Sequence, residues 1–466
     1  MFRTAARHLH GTAGTSAAAA GAAVPSPRGL PLVGTTLALL AAGSTPKLHK
    51  YIDRRHRELG PIFREDIGPV ACVFISDPDE MRNVFAREGK YPVHVLPEAW
   101  TLYNEMYGCS RGLFFMDGEE WLHFRRIMNK LLLKGDLGWI DRCCEVVGNK
   151  TVDKIKYNNV EGQPYRSLPG DLYKWSLDVL VCILLGETCY NKNNKQVEKM
   201  VRHLGETVHL VFETSAKLAL IPAKLAATYK IPAWRRFEDS VDQALTSASH
   251  LVEYMLEQFP EGDGLLHRMQ EEQMNTSELI RIVADLILAA GDTTAYSMQW
   301  ILYLLSKNPQ VQDELRQKLL EGTAAQLKKD IVRESLRLYP VAPFLTRFLP
   351  EATQIAGYEI SAGTLMIMSI YTSGRDAKYF RHPERFDPNR WTRTSSNYTT
   401  KASLPFAIGS RSCVGRRIAE TQLRDTTAKI VSNFRMELCN KRDVDMVLKM
   451  VCVPSEPLLI KFTPID

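Results

Sequence analysis

The stretch "LPFAIGSRSCVGRRIAE", Leu404–Glu420, holds one cysteine, Cys413, among glycines, hydroxyls and arginines. No second cysteine or histidine lies close enough in sequence to complete a zinc site. A lone cysteine is ordinarily a small buried hydrophobe, but this setting suits a thiolate. Gly409 and Gly415 permit a tight loop whose backbone amides can point at the sulfur, and Phe406 can shield it from water. Arg411, two residues earlier, can reach an anion beside it. A thiolate is a strong, soft ligand for iron and stays deprotonated where a metal and nearby donors stabilise it.

Outward from this loop the chain reads as an ordinary globular protein. Its 466 residues are 45% hydrophobic and 24% charged, enough to bury a large core, and nothing in it resembles a linker between two domains. The formal charge of +6 is modest and spread out, with no basic tract of the kind that binds nucleic acid. Nine cysteines at irregular spacing, with no CxxC, form neither a disulfide framework nor a zinc ribbon, and a reducing compartment fits best.

The beginning differs. Residues 1–24 carry Arg3, Arg7, His8 and His10 followed by an alanine run, and no acid precedes Asp53. That composition reads as a mitochondrial transit peptide, with a disordered tail as the alternative, leaving one domain over 25–466. The apolar run near Leu30–Ala42 is too short to span a bilayer.

Helical periodicity dominates the rest of the chain: Leu48–Glu58, Asp79–Glu88, Glu119–Leu133, Tyr173–Leu185, Lys199–Val211, Arg236–Phe259, Thr276–Lys307, Pro309–Leu320 and Leu327–Leu338. Short alternating runs at Ala71–Ser76, Thr364–Tyr371 and near the end predict strands, so the fold class is mainly α with small β-sheets. Glu278–Lys307 is apolar on nearly every side and should run through the interior. Within it Asp292 and Thr293 sit beside Gly291. A buried carboxylate costs several kcal/mol unless paired or used, and Thr293 can return its hydroxyl to the Ala289 carbonyl. The pair leaves room for a small ligand or a water chain; a polar patch meeting a neighbouring helix is the plainer alternative.

The spacing Phe406–Gly409–Arg411–Cys413–Gly415 matches the haem-binding signature F-x-x-G-x-R-x-C-x-G at every fixed position. On this motif the chain resembles a cytochrome P-450, and other segments agree. Glu334-Ser335-Leu336-Arg337 matches the family's E-x-x-R helix, "PERF" supplies Arg385 to complete a structural Glu–Arg–Arg cluster, and "WLHFR" matches W-x-x-x-R through Trp121 and Arg125. The central "AAGDTT" matches A-G-x-D-T-T, except that Ala290 stands where the glycine is usual and the glycine has moved to Gly291.

The resemblance implies a haem b between the long central helix and the cysteine loop. Cys413 is then the axial iron ligand, Phe406 lies beside it, and Trp121, Arg125, Arg347 and Arg411 serve the propionates. It implies that Thr293 and Asp292 handle dioxygen and its protons. It also implies electrons from NADPH through ferredoxin reductase and an adrenodoxin-type ferredoxin, docked on Lys329, Arg333, Arg416 and Arg417; a solvated basic face is the alternative. Such enzymes lie on the matrix side of the inner mitochondrial membrane, and Phe212–Ile231, with Lys217, Lys224 and Lys230, could touch that surface; a plain helix connection is the equal alternative. The stretch between Pro309 and Glu334 is short for the family.

Segments from Gly29 to Arg417, among them "RGLFFMDGEEWLHFRRIMNKLLL", resemble arthropod ecdysteroid 2-hydroxylases more closely. That implies hydroxylation of 2-deoxyecdysone to ecdysone. The pocket walls would come from the Tyr103–Phe115 loop, Ala284–Thr293, Val341–Phe344 and Val451–Val453. Another mitochondrial steroid or sterol hydroxylase, a detoxifying monooxygenase, and a haem-thiolate gas sensor or isomerase are the competing readings.

Overall fold

A helix of 32 residues, Thr276–Lys307, forms the axis of the molecule, a computed structural model that describes residues 23–31, 33–67, 70–192, 194–219, 221–393 and 401–465. The expected leader lies, apart from its last two residues, outside the described residues. Asn275 starts the axis with a capping box: its side chain accepts the Glu278 amide, and the Glu278 carboxylate accepts the Asn275 amide. Asn308 ends it, and Pro309 opens the next helix, Pro309–Leu320. The axis packs against Leu168–Leu185, Pro232–Gln258, Lys195–Leu218, Ala325–Leu338 and Arg416–Asn433. Trp300 stacks on Tyr339 with ring centroids 4.0 Å apart, tying the axis to the end of Ala325–Leu338.

A four-stranded sheet flanks this bundle in the order β1-β2-β6-β3, comprising β1 (Ile62–Ile67), β2 (Val70–Ile75), β3 (Phe344–Phe348) and β6 (Leu365–Ser369). β1 and β2 form an antiparallel hairpin, β2 and β6 run parallel, and β3 returns antiparallel to β6. β6 is buried at every position, as its unbroken apolar run requires. β4 (Thr353–Ile355) and β5 (Tyr358–Ile360), β7 (Phe434–Leu438) and β10 (Ile460–Pro464), and β8 (Met446–Lys449) and β9 (Val451–Pro454) make two-stranded pairs.

Three long helices lie outside the predicted set: Glu98–Tyr107, Gly138–Asn158 and Arg416–Asn433. The second buries Ile140, Cys143, Cys144, Val147, Thr151 and Ile155, a helical stripe legible in the sequence. The third buries Thr421, Gln422, Thr426 and Thr427 beside a few aliphatics, so its inward face carries little apolar signal. The first corrects the expected Tyr103–Phe115 loop: Tyr103–Tyr107 are helical, and Gly108, left-handed at φ 62, ends the helix.

Candidate active site

The cysteine loop is closed by its own backbone, the Cys413 amide donating to Phe406 O at 2.9 Å and the Ser412 amide to Gly409 O at 3.2 Å. Gly409 adopts φ +83, and a Cβ there would lie 2.3 Å from Glu88 Oε1. Both the conformation and the approach of Glu88 therefore demand glycine. Glu88 is buried and accepts the Ser410 amide at 2.8 Å and hydroxyl at 2.9 Å, while its other oxygen takes Arg347 Nε at 2.6 Å. Sequence reasoning missed this carboxylate, which has no local motif. Directly after the loop, Gly415 caps the helix Arg416–Asn433. Cys413 is exposed to a cleft, yet protein surrounds it: burial raises the thiol pKa, opposed by the Gly415 amide, Arg125 and Arg416.

Three arginines, Trp121 and His94 gather beside this loop. Arg125 donates to Ser412 O at 2.6 Å. Arg411 donates to Met116 O and to Asp117, each at 2.5 Å, and its guanidinium lies 4.4 Å from the Trp121 ring centre. Burial pulls the Arg411 pKa down to about 10 against the pull of Asp117. Arg347, on β3, is held by Glu88. Several of their nitrogens are nevertheless buried without a hydrogen-bond partner among the described residues: Arg125 Nε, Arg411 Nε, Arg347 Nη2 and both ring nitrogens of His94. Burial, then Arg411 and Arg347, push the His94 imidazole down to about 3. Unfilled donors of this density fit a doubly anionic group. His94, in "YPVHVLP", was not recognised from the sequence.

The central helix contributes an open stripe. Leu286, Ala289, Ala290, Thr293 and Tyr296 are at least partly exposed, whereas Ile287, Leu288, Gly291, Asp292, Thr294 and Ala295 are buried. Thr293 Oγ1 donates to Ala289 O at 2.7 Å. Asp292 is buried and faces His209, on the helix Lys195–Leu218, at 3.7 Å. The displaced glycine has a packing reason: a Cβ on Gly291 would sit 3.0 Å from the Tyr173 ring, and Ser176 donates to Gly291 O at 2.9 Å. Gly291→Ala is therefore expected to lower stability by about 1–3 kcal/mol through overpacking, measurable as a fall in melting temperature.

The loop Arg111–Asp117 stitches this helix to the cysteine loop. Asp285 of the helix accepts Arg111 and the Phe114 amide, both at 3.2 Å, while Arg411 of the cysteine loop holds Met116 and Asp117 from the other side. The loop thus ties the helix that carries Thr293 to the segment that carries Cys413.

The brace behind the loop differs from expectation in one member. Glu334 and Arg337 form a fully buried bidentate pair at 2.7 and 2.9 Å. The third member is Arg390, whose Nε reaches Glu334 Oε1 at 2.8 Å, joined by Trp391 Nε1 at 3.1 Å. The Arg385 side chain is exposed, and that residue offers only its carbonyl, to Arg337 and Arg390. The "PNRW" that comes after "PERF" carries the buried arginine.

Of the docking candidates, Lys329 and Arg333 are exposed on Ala325–Leu338, with Arg333 4.0 Å from Asp330. Arg416 pairs with Glu420 at 3.0 Å and stays half-exposed. Arg417 is part-exposed, and its Nη2 donates to both carboxylate oxygens of Asp141, at 2.7 and 2.8 Å. Only Glu321–Ala324 separates the two helices of the short connector.

A family model described as cytochrome P-450 matches residues 24–462. The chain is 42% identical to cytochrome P-450 315a1, mitochondrial, of Drosophila melanogaster, over 95% of this chain and 88% of that one. It is 28% identical to the mitochondrial 1,25-dihydroxyvitamin D(3) 24-hydroxylase of Mus musculus, over 95% and 89% of the two chains. To the mitochondrial cholesterol side-chain cleavage enzyme of Equus caballus it is also 28% identical, over 90% and 85%. No described helix is long and apolar enough to cross a membrane.

Proposed function

The chain belongs to the cytochrome P-450 family, as a monooxygenase of the mitochondrial class, and from that premise we propose that it hydroxylates 2-deoxyecdysone at carbon 2 to give ecdysone. The observation that carries the substrate is the run of segments between Gly29 and Arg417 that resemble the arthropod ecdysteroid 2-hydroxylase called Shadow. In this reading a haem b is held by Cys413, with its acid groups among Arg125, Arg347, Arg411, Trp121 and His94. When bound, it supplies the oxidant for an unactivated C–H bond. Glu88, Gly409 and Phe406 fix the loop that presents the sulfur. Thr293 offers a hydroxyl at the open stripe, and Asp292 behind it carries protons.

Electrons come from NADPH through ferredoxin reductase and an adrenodoxin-type ferredoxin. That partner meets Lys329, Arg333 and the exposed half of Arg416, with Arg417 contributing mainly through its bond to Asp141. Residues 1–24 act as the transit peptide, and residues 25–466 work as one domain on the matrix side of the inner membrane. Leu225 and Tyr229, both exposed within Phe212–Ile231, give that stretch a peripheral hold on the membrane.

Reconstitution with ferredoxin and its reductase tests the substrate: 2-deoxyecdysone should yield ecdysone by mass spectrometry, and no product without ferredoxin. A protein that binds haem through sulfur yet gives no 2-hydroxylated product loses the ecdysteroid assignment and remains a monooxygenase. The relatives named for vitamin D and cholesterol chemistry make other sterols the first replacements to try. Thr293→Ala should slow product formation by about 100-fold, the lower end of what one positioned proton donor contributes, while peroxide release continues, so the peroxide-to-product ratio rises. Unchanged coupling would favour a sensor or isomerase.

A further inference from the structure

Asp292 is buried in the middle of the central helix, and its Oδ1 makes no hydrogen bond among the described residues. Facing that oxygen at 3.7 Å is Nδ1 of His209, whose side chain is 56% exposed against 3% for the aspartate. A carboxylate so enclosed cannot exchange protons with bulk water by itself, whereas the histidine touches both environments. We propose that His209 is a positioning residue that connects solvent to Asp292, holding the carboxylate and resupplying it with protons during turnover. The inference rests on the monooxygenase reading, because that reaction consumes protons in the cleft.

The surroundings leave this pair isolated enough to work. Tyr173 stands edge-on to the imidazole at 6.5 Å, but its hydroxyl is committed to Gly205 O at 3.0 Å. Glu213, one turn along from His209, is paired with Lys217 at 2.5 Å. Lys449, at the end of β8, also faces the ring, and its charge opposes that of Glu213. Tyr296 lies on the open stripe, one turn beyond Asp292. The contact with Asp292 outweighs the rest and lifts the His209 pKa above that of free imidazole, despite partial burial. At 3.7 Å the pair lies beyond ordinary hydrogen-bond length, and a small side-chain rotation closes it; such contacts commonly tighten only in the reacting complex.

The transfer balances simply. The imidazolium gives its Nδ1 proton to Asp292 Oδ1, breaking N–H and forming O–H. The neutral ring keeps its Nε2 proton, and Nδ1 of the half-exposed ring turns to solvent and is reprotonated by hydronium, which leaves as water. No electron moves. The raised pKa sets the sign of the pH dependence. Imidazolium, and with it efficient coupling, is present at low pH and lost as pH rises through a value above about 6.5.

Three variants decide it, each checked for haem content and melting temperature. His209→Gln, which removes resupply rather than the donor at the reacting centre, should raise the peroxide-to-product ratio several-fold and flatten its pH dependence between pH ~6 and ~8. His209→Lys restores the charge but does not titrate near neutrality, so it should keep the high ratio; wild-type coupling in this variant would overturn the relay. The readout independent of turnover is the NMR titration of the His209 imidazole in the ferric protein. It should lie above the free value and fall toward it in Asp292→Asn. A normal value in the wild type, unmoved by Asp292→Asn, would overturn the pairing itself. This titration needs no substrate, so failure of the ecdysteroid assignment leaves it decisive.

Discussion

Cys413→Ala is expected to give a protein whose reduced, carbon-monoxide-treated form lacks the red-shifted Soret band of thiolate-ligated haem, with hydroxylation at the level of the blank. The reason is that no other thiol is placed to substitute for it. Cys72, Cys143, Cys144, Cys182, Cys189 and Cys452 are buried in the core, and Cys109 and Cys439 lie outside the cysteine loop. The loop should survive the substitution, because its closing bond uses the Cys413 amide rather than the side chain. Melting temperature should therefore change little in the haem-free protein while the spectrum changes completely. A red-shifted band retained by Cys413→Ala would remove the basis for every role assigned around it.

Glu334→Ala is expected to cost about 3–5 kcal/mol, because it strands two buried guanidinium groups at once. Arg337 and Arg390 both spend charge-assisted bonds on that carboxylate, and Trp391 Nε1 and the Asp387 amide add two more. Against a typical total of about 5–15 kcal/mol, such a loss shifts the denaturant midpoint sharply and lowers haem retention. Arg385→Ala, a change at an exposed side chain, should stay within about 0.5 kcal/mol, whereas Arg390→Ala should approach the cost of Glu334→Ala. Equal, small effects of the two arginine variants would contradict a brace built on Arg390.

Those two sites also show where the sequence is legible. The central helix can be read to its ends, because unbroken apolar periodicity and flanking Asn and Pro mark it. The cysteine loop can be recognised from spacing alone, since the backbone bonds that close it, Cys413 to Phe406 and Ser412 to Gly409, lie within ten residues; the side chains that anchor it from outside cannot. Arg385 and Arg390 are hard to tell apart because both stand two residues after a proline in similar tetrapeptides, and only burial separates them. His94, Glu88, Asp285 and His209 stay unread for a common reason: each acts through a partner brought near by tertiary structure. A histidine between valine and valine, or a glutamate in "AREGK", looks like surface until the sheet and the loops close around it.

The bonds that shape the cysteine loop span very long stretches of chain. Ser410 reaches Glu88 across 322 residues, Arg125 reaches Ser412 across 287, and Glu88 reaches Arg347 across 259. Closing loops of that size is slow, and such contacts form after the local helices are in place. The cysteine loop and its anchors are therefore expected to take shape late in folding, and the proposed cofactor to enter a nearly finished protein instead of nucleating it.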